Sequence, residues 1–170
     1  MNAIEILTDL AARPLETARA LRPALTAERL NAHPHHDNSI AWLLWHTGRE
    51  IDIQVAPLAG ATQVWLAQDF ATRFGLGLGP EDIGYGHTPE QARAIVVNDA
   101  DLLVEYIAAT IASLTAYIGT LSEADLGAII DESWDPPVTL GARLVSICAD
   151  ALAHVEQAAY IAGMGAAAFE

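Results

Sequence analysis

Two pairs of side chains stand at a spacing that chemistry can use. In SIAWLLWHTGRE, residues 39–50, His46 is followed four positions later by Glu50. In ADALAHVEQAAY, residues 149–160, Asp150 is followed four positions later by His154. Residues four apart on a helix project from one face about one turn apart, so a carboxylate and an imidazole at that spacing can reach one divalent ion. His46, from a second helix, would complete a His/Asp/His set with open positions, the ligand count of a catalytic zinc or similar site. Glu50 would then be the candidate catalytic group, accepting a hydrogen bond from a ligand imidazole or acting as a base on bound water.

Ordinary amphipathicity offers a competing account of every one of these residues. Arg143, Ser146, Asp150, His154 and Gln157 make one narrow polar stripe on an otherwise apolar or small-residue segment. Such a stripe can simply be the face that touches water. His46 lies at the edge of an apolar stripe beside Trp42 and Leu43, where a packing histidine is common. Glu50 reads equally as a surface acid. Periodicity alone leaves both accounts open.

The elements that would position these groups are helical. Four long stretches carry helical spacing, and no segment shows a convincing strand alternation. The first covers residues 2–25, with a kink or fresh start expected at Pro14, which lacks a donor and clashes with the preceding turn. The second covers residues 39–56, capped by Asn38 or Ser39 and closed by Pro57 and Gly60. A long connection follows, with one short helix expected at residues 63–74, a glycine-rich loop, and a helical turn opened by Thr88-Pro89-Glu90. The third long helix covers residues 99–121, with Leu102, Leu103, Tyr106, Ile107, Leu114, Ile118 and Leu121 on one stripe. LSEADLGAIIDESWDPP reads as a connector, and the fourth helix covers about residues 139–161. The expected fold is all-α: one domain over residues 1–170, an antiparallel four-helix bundle with a long loop between its second and third helices.

Composition narrows the function classes. The 170 residues suit a single domain with a full core, and 52% hydrophobic residues argue against disorder. Eight basic residues, all arginine, stand against 22 acids, for a formal charge of −14. That field repels phosphate backbones and anionic lipid, so neither nucleic acid nor a membrane surface is an expected partner. The opening MNAIEILTDLAARP has acids and no basic region, unlike a signal peptide. The uncharged run at residues 106–122 has amphipathic spacing and reads as a bundle helix. A single cysteine, Cys148, leaves no internal disulfide and is expected to be a buried small residue, and the default compartment is the cytoplasm. Three further motifs carry less. HPHHD at residues 33–37 reads as a surface or mouth-of-site loop, GLGLGP as a flexible turn, and His87 as a residue that opens a local helix or approaches the pocket from the long loop.

At this point the order of features resembles the DinB-like four-helix-bundle superfamily, which includes bacillithiol transferases and the mycothiol-dependent maleylpyruvate isomerase. NSIAWLLWH resembles the start of that family's second helix, whose histidine is the first metal ligand, and this puts the role on His46. FGLGLGPEDIGYGHTPEQ is similar to the loop of the actinobacterial branch. DALAHVEQAAYIAG resembles the fourth-helix motif, in many members His-x-x-x-His followed by a Gly-Gln pair, which puts the second histidine on His154 and the glutamine on Gln157. Two departures stand out: Asp150 replaces the first histidine of the pair, and Glu156 replaces the glycine. The isomerase resembles this arrangement in having a carboxylate at the first position, although Asp is shorter than Glu and would draw an ion closer to the fourth helix. The likeness covers the bundle portion of the isomerase, with no second domain expected after the fourth helix.

The resemblance implies a divalent ion, with zinc or nickel the leading candidates, on His46, Asp150 and His154. It also implies a low-molecular-weight thiol such as mycothiol, held as the reactive thiolate and transferred to an electrophile or used in isomerisation. The partners would be that thiol and the electrophile. Two alternatives remain: a metal-dependent hydrolase with Glu50 as proton acceptor, and a non-enzymatic structural or binding bundle, with a homodimer as its candidate assembly.

Overall fold

The computed structural model describes residues 1–169. Four long helices make the frame: α1 (Ala3–Leu21), α3 (Ile40–Ala59), α7 (Ala100–Ile118) and α8 (Leu140–Ala162). Short helices lie between them: α2 (Ala27–Asn31), α4 (Val64–Ala67), α5 (Phe70–Phe74) and α6 (Pro89–Arg93). α1 and α3 each pack against both α7 and α8, so α1 and α3 occupy one diagonal of the bundle and α7 and α8 the other. The all-α four-helix-bundle expectation therefore holds.

The helices begin where capping chemistry says they should. Asn2, Ser39, Asp99 and Thr139 each accept a hydrogen bond from a free amide in the first turn of α1, α3, α7 and α8 respectively. Thr88 opens α6 with a capping box completed by Gln91 and a first-turn Pro89. α3 ends on Gly60 in the left-handed region at φ 61°, the conformation a helix stop favours glycine for.

Several boundaries differ from the sequence reading. Pro14 starts no new helix. It lies inside α1 on the buried stripe with Leu7, Ala11 and Ala18, where packing against α7 and α8 outweighs one missing backbone donor. α1 stops at Leu21, and a single turn of tighter helix at Arg22–Ala24 carries the chain through Pro23. Pro57, expected to close α3, lies within its last turn. The single helix expected at residues 63–74 is two, because Asp69 takes a left-handed φ of 59° and breaks the run. The connector before α8 holds a short antiparallel pair, β1 (Ile129–Asp131) with β2 (Val138–Thr139). Strands of three and two residues are too short to show an alternating pattern.

α7 is long and apolar enough to cross a membrane by composition. Nine of its residues are nonetheless buried in the bundle. Its outward Asp101 and Glu105 are exposed and paired with Arg22 and Arg73. α3 is the most enclosed element, with 15 of its 20 residues buried. α7 and α8 cover two sides of it, and residues of the long 60–99 connection cover a third. That enclosure places five polar side chains of α3 inside the protein: His46, Thr47, Arg49, Glu50 and Asp52.

Candidate metal centre

α3 and α8 bring His46, Asp150 and His154 together. One ligand atom from each lies within 4.8 Å of the others. The two imidazoles meet edge to face with ring centroids 4.5 Å apart. They form part of the wall of a cavity of about 590 Å³, within the usual range for small-molecule pockets.

Each imidazole is oriented by its other nitrogen. His46 Nδ1 faces the Ile83 carbonyl within hydrogen-bond distance and donates to it. His154 Nδ1 donates to the Asp150 carbonyl one turn back, at 2.9 Å. Both assignments leave Nε2 as the lone-pair nitrogen, the form a metal ligand needs. Burial, opposed by the Ile83 hydrogen bond and reinforced by the neighbouring His154, holds the His46 pKa below its ordinary value, so the ring stays neutral. The Trp42 indole stacks on the His46 ring at 4.6 Å and 19° and fixes its plane. Asp150 is half exposed, whereas the His154 side chain is largely covered.

Glu50 also lines the cavity, and it is no surface acid: it is 2% exposed. It accepts a 2.8 Å hydrogen bond from Gln54 Nε2 on Oε2, while Oε1 has no hydrogen-bond partner among the described residues. Burial, then the charge of Asp150, push its pKa well above the usual carboxylate value. Gln54 is steadied in turn by Arg143, whose guanidinium spans Gln54 Oε1 and Asp131 Oδ2 at 3.4 Å each. The His46 N–H goes to Ile83, so Glu50 does not serve as its acceptor.

The donor set fits a divalent transition ion: two imidazoles and a carboxylate on packed helices, beside a space for exogenous ligands. The sequence profile of the DinB superfamily matches residues 9–158. The chain belongs to the DinB superfamily. A conserved protein from Enterococcus faecalis, known from its crystal structure, is 35% identical, with a TM-score of 0.88 over 95% of this chain and 96% of that one. Among curated proteins, none matches this sequence.

The other residues singled out in this DinB-superfamily chain divide into those at the cavity and those away from it. The polar stripe of α8 is both things the sequence allowed: Asp150 and His154 face the cavity, whereas Ser146 and Gln157 are exposed. Gln157 borders a separate shallow pocket with His36 and Tyr160. From the HPHHD loop, His36 and Asp37 reach the cavity rim. The Asp37 carboxylate is held there by Arg93 at 2.7 Å. Cys148 is buried as expected, and burial together with Glu50 pushes its thiol up to about 11, which leaves it inert.

His87 has a larger part in the cavity wall than opening α6. Its Nδ1 accepts from Trp42 Nε1 at 3.3 Å, and its Nε2 donates to Asp82 Oδ1 at 2.9 Å. Both nitrogens are thus engaged, and the ring braces the indole that covers His46. The contact joins residues 45 positions apart, a separation that local spacing does not encode.

Proposed function

We propose that this protein is a divalent-metal-dependent enzyme, with His46, Asp150 and His154 as the ligands and a small thiol as co-substrate. One observation carries the reading. Three ligand atoms from two packed helices converge within 4.8 Å beside a cavity, and the hydrogen bonds of both imidazoles leave Nε2 free. When bound, zinc or nickel would supply a positive charge that favours the thiolate over the thiol at neutral pH.

The chain's own residues do the rest. Trp42 and the Ile83 carbonyl hold His46 in one orientation. Glu50, which lines the cavity and whose Oε1 has no hydrogen-bond partner among the described residues, takes the proton that a thiol gives up. A buried carboxylate with a raised pKa suits that task, since it can both accept the proton and return it to a leaving group. The sulfur then forms its bond to carbon of the electrophile as the leaving group departs, or as the double bond rearranges in an isomerisation. The 83–88 segment forms one wall of the cavity.

The same Glu50 geometry supports a hydrolase, with water in place of thiol as the proton source. A requirement for thiol separates the two readings. In either one the partners are small molecules, consistent with an acidic surface of formal charge −14 that disfavours nucleic acid, and the cytoplasm is the proposed compartment.

The first experiment is elemental analysis of tag-free protein beside His154→Ala. About one equivalent of zinc or nickel in the parent and none in the variant is the expected result. A screen of thiols, mycothiol among them, against electrophiles then follows. No metal in either protein after incubation with both ions would overturn the reading and favour a binding bundle, alone or as a homodimer.

A further inference from the structure

The segment at residues 80–87 reaches His46 in two ways, one direct and one through Trp42. The Ile83 carbonyl receives its Nδ1–H, and His87 holds the Trp42 indole that stacks on its face. We infer that Arg49 and Asp82 are positioning residues, which set this segment so that His46 presents Nε2 to the cavity. The inference rests on His46 being a functional ligand, as proposed above.

Arg49 supports the segment from inside the protein. It is fully buried, a costly placement for a guanidinium unless its donors are all used. Its Nε donates to the Asp82 carbonyl at 3.1 Å, and Nη2 donates to the Pro80 carbonyl. Nη1 donates to Gln63 Oε1 and the Tyr106 hydroxyl, each at 3.1 Å. An apolar side chain could fill the same volume, but it could not fix two loop carbonyls. Those carbonyls lie one and three residues before Ile83, so what Arg49 holds is the approach to the atom that orients His46.

Asp82 supports the segment from the solvent side. Its Oδ1 accepts from Gly84 N at 3.0 Å and from His87 Nε2 at 2.9 Å, which closes the turn around Ile83. Gly84 has φ of 90°, and a Cβ there would come within 2.9 Å of Trp42 and 3.0 Å of Trp45. The turn therefore rests directly on the two indoles, with no side chain between. A shift of this turn moves the acceptor of His46 and the brace of Trp42 together.

The test reads the tautomer of His46 from its imidazole nitrogen chemical shifts in metal-free protein, at alkaline pH where the ring is neutral. Zinc and nickel affinities are measured in parallel by calorimetry, and thermal midpoints report the fold. The variants are Arg49→Lys, Asp82→Ala and Asp82→Asn. The expected result is Nδ1–H in the parent and a mixture of tautomers in Arg49→Lys and Asp82→Ala. Metal affinity falls roughly 10- to 100-fold in the same two variants, the usual cost of disturbing a group that orients a ligand. Asp82→Asn keeps an acceptor oxygen and restores the parent tautomer. The Asp82 side chain is 32% exposed and outside the buried cluster, so Asp82→Ala decides the matter if Arg49→Lys does not fold. A lowered midpoint with an unchanged His46 tautomer in both variants would overturn the inference, since that is the signature of a merely structural role. A parent that binds no ion, but whose tautomer responds as described, would support the positioning role and remove the metal reading alone.

Discussion

Helix α3 carries two buried polar clusters interleaved along its length, and they are built on opposite terms. In the Arg49–Asp52 cluster both charged side chains are partnered, although the Trp65 indole N–H has no acceptor among the described residues. Asp52 accepts from Val64 N at 2.8 Å, Trp65 N at 2.7 Å and the Tyr106 hydroxyl at 3.0 Å. Arg49 spends its donors on two loop carbonyls, Gln63 and Tyr106, and lies over the Trp65 ring. In the His46–Glu50 cluster, one imidazole nitrogen and one carboxylate oxygen are left over, both beside the cavity. Buried polar groups are nearly always satisfied, so a bare carboxylate oxygen beside a convergent His/Asp/His set is a reason to expect a ligand there. The first cluster holds the protein together; the second is arranged to hold something else.

If the comparison is right, the largest stability loss comes from the saturated cluster. Asp52→Ala leaves the Arg49 guanidinium without its carboxylate at 3.5 Å, and strands two amides and a hydroxyl. Breaking a buried pair on one side costs about 3–5 kcal/mol, the loss expected in urea denaturation of the metal-free variant against the parent. A loss below about 1 kcal/mol would mean that surface water reaches this cluster and the contrast is false. His154→Ala should behave the other way. Without metal it costs roughly 1 kcal/mol, the common value for a point substitution, since the ring is mostly covered and packs against His46. With zinc or nickel at 100 times the dissociation constant, the parent gains about 2.7 kcal/mol that the variant lacks. Equal gains in both proteins would detach the stabilisation from this site.

The same contrast explains what could be read from the sequence. The bundle was legible because helix periodicity and capping are local: Ser39, Asp99 and Thr139 sit where the helices start, and the α7 stripe from Leu102 to Ile118 is buried as its spacing implies. Asp150 and His154 were legible for the same reason, one face of one helix. Periodicity could not say that His46 faces them, because that depends on which helices share a diagonal; family resemblance supplied that step. Arg49 and Asp52 were not singled out at all. Their partners lie in the 63–65 and 80–82 segments and on Tyr106, contacts of sequence separation from 12 to 57 that no motif marks. Glu50 could be read as a surface acid because its burial depends on how the neighbouring helices enclose α3. Where the loop meets α3, His87 was named as a residue that could approach the pocket, but its bond to Trp42 and the part of Ile83 were illegible on the same grounds.

The smallest expected effect is also the most diagnostic of the open cluster. In the metal-free protein, burial raises the Glu50 pKa above its ordinary 4.5, with Asp150 adding to the shift. The unfolded chain therefore releases this proton at lower pH than the folded one. Above 4.5 the folded state binds more protons at Glu50, so its contribution to stability is full below that pH and declines as pH rises through the folded value. Glu50→Gln removes the titration and keeps the shape and the contact with Gln54. The variant should match the parent in mild acid and exceed it near neutral pH, by on the order of 1 kcal/mol, the cost of an unsatisfied buried polar group. His46 works in the opposite sense, because its lowered pKa makes stability fall as pH drops below its ordinary 6.5. Since His46 is common to both proteins, subtracting their denaturation free energies at each pH isolates Glu50. A flat difference would mean that Glu50 is solvated in the metal-free state. Added zinc or nickel should shrink the difference at neutral pH, because a cation beside Asp150 offsets the carboxylate charge that now opposes ionisation of Glu50. Glu50 would then be a group whose burial is tolerated for the sake of the ion, while Asp52, equally buried, needs no ion at all.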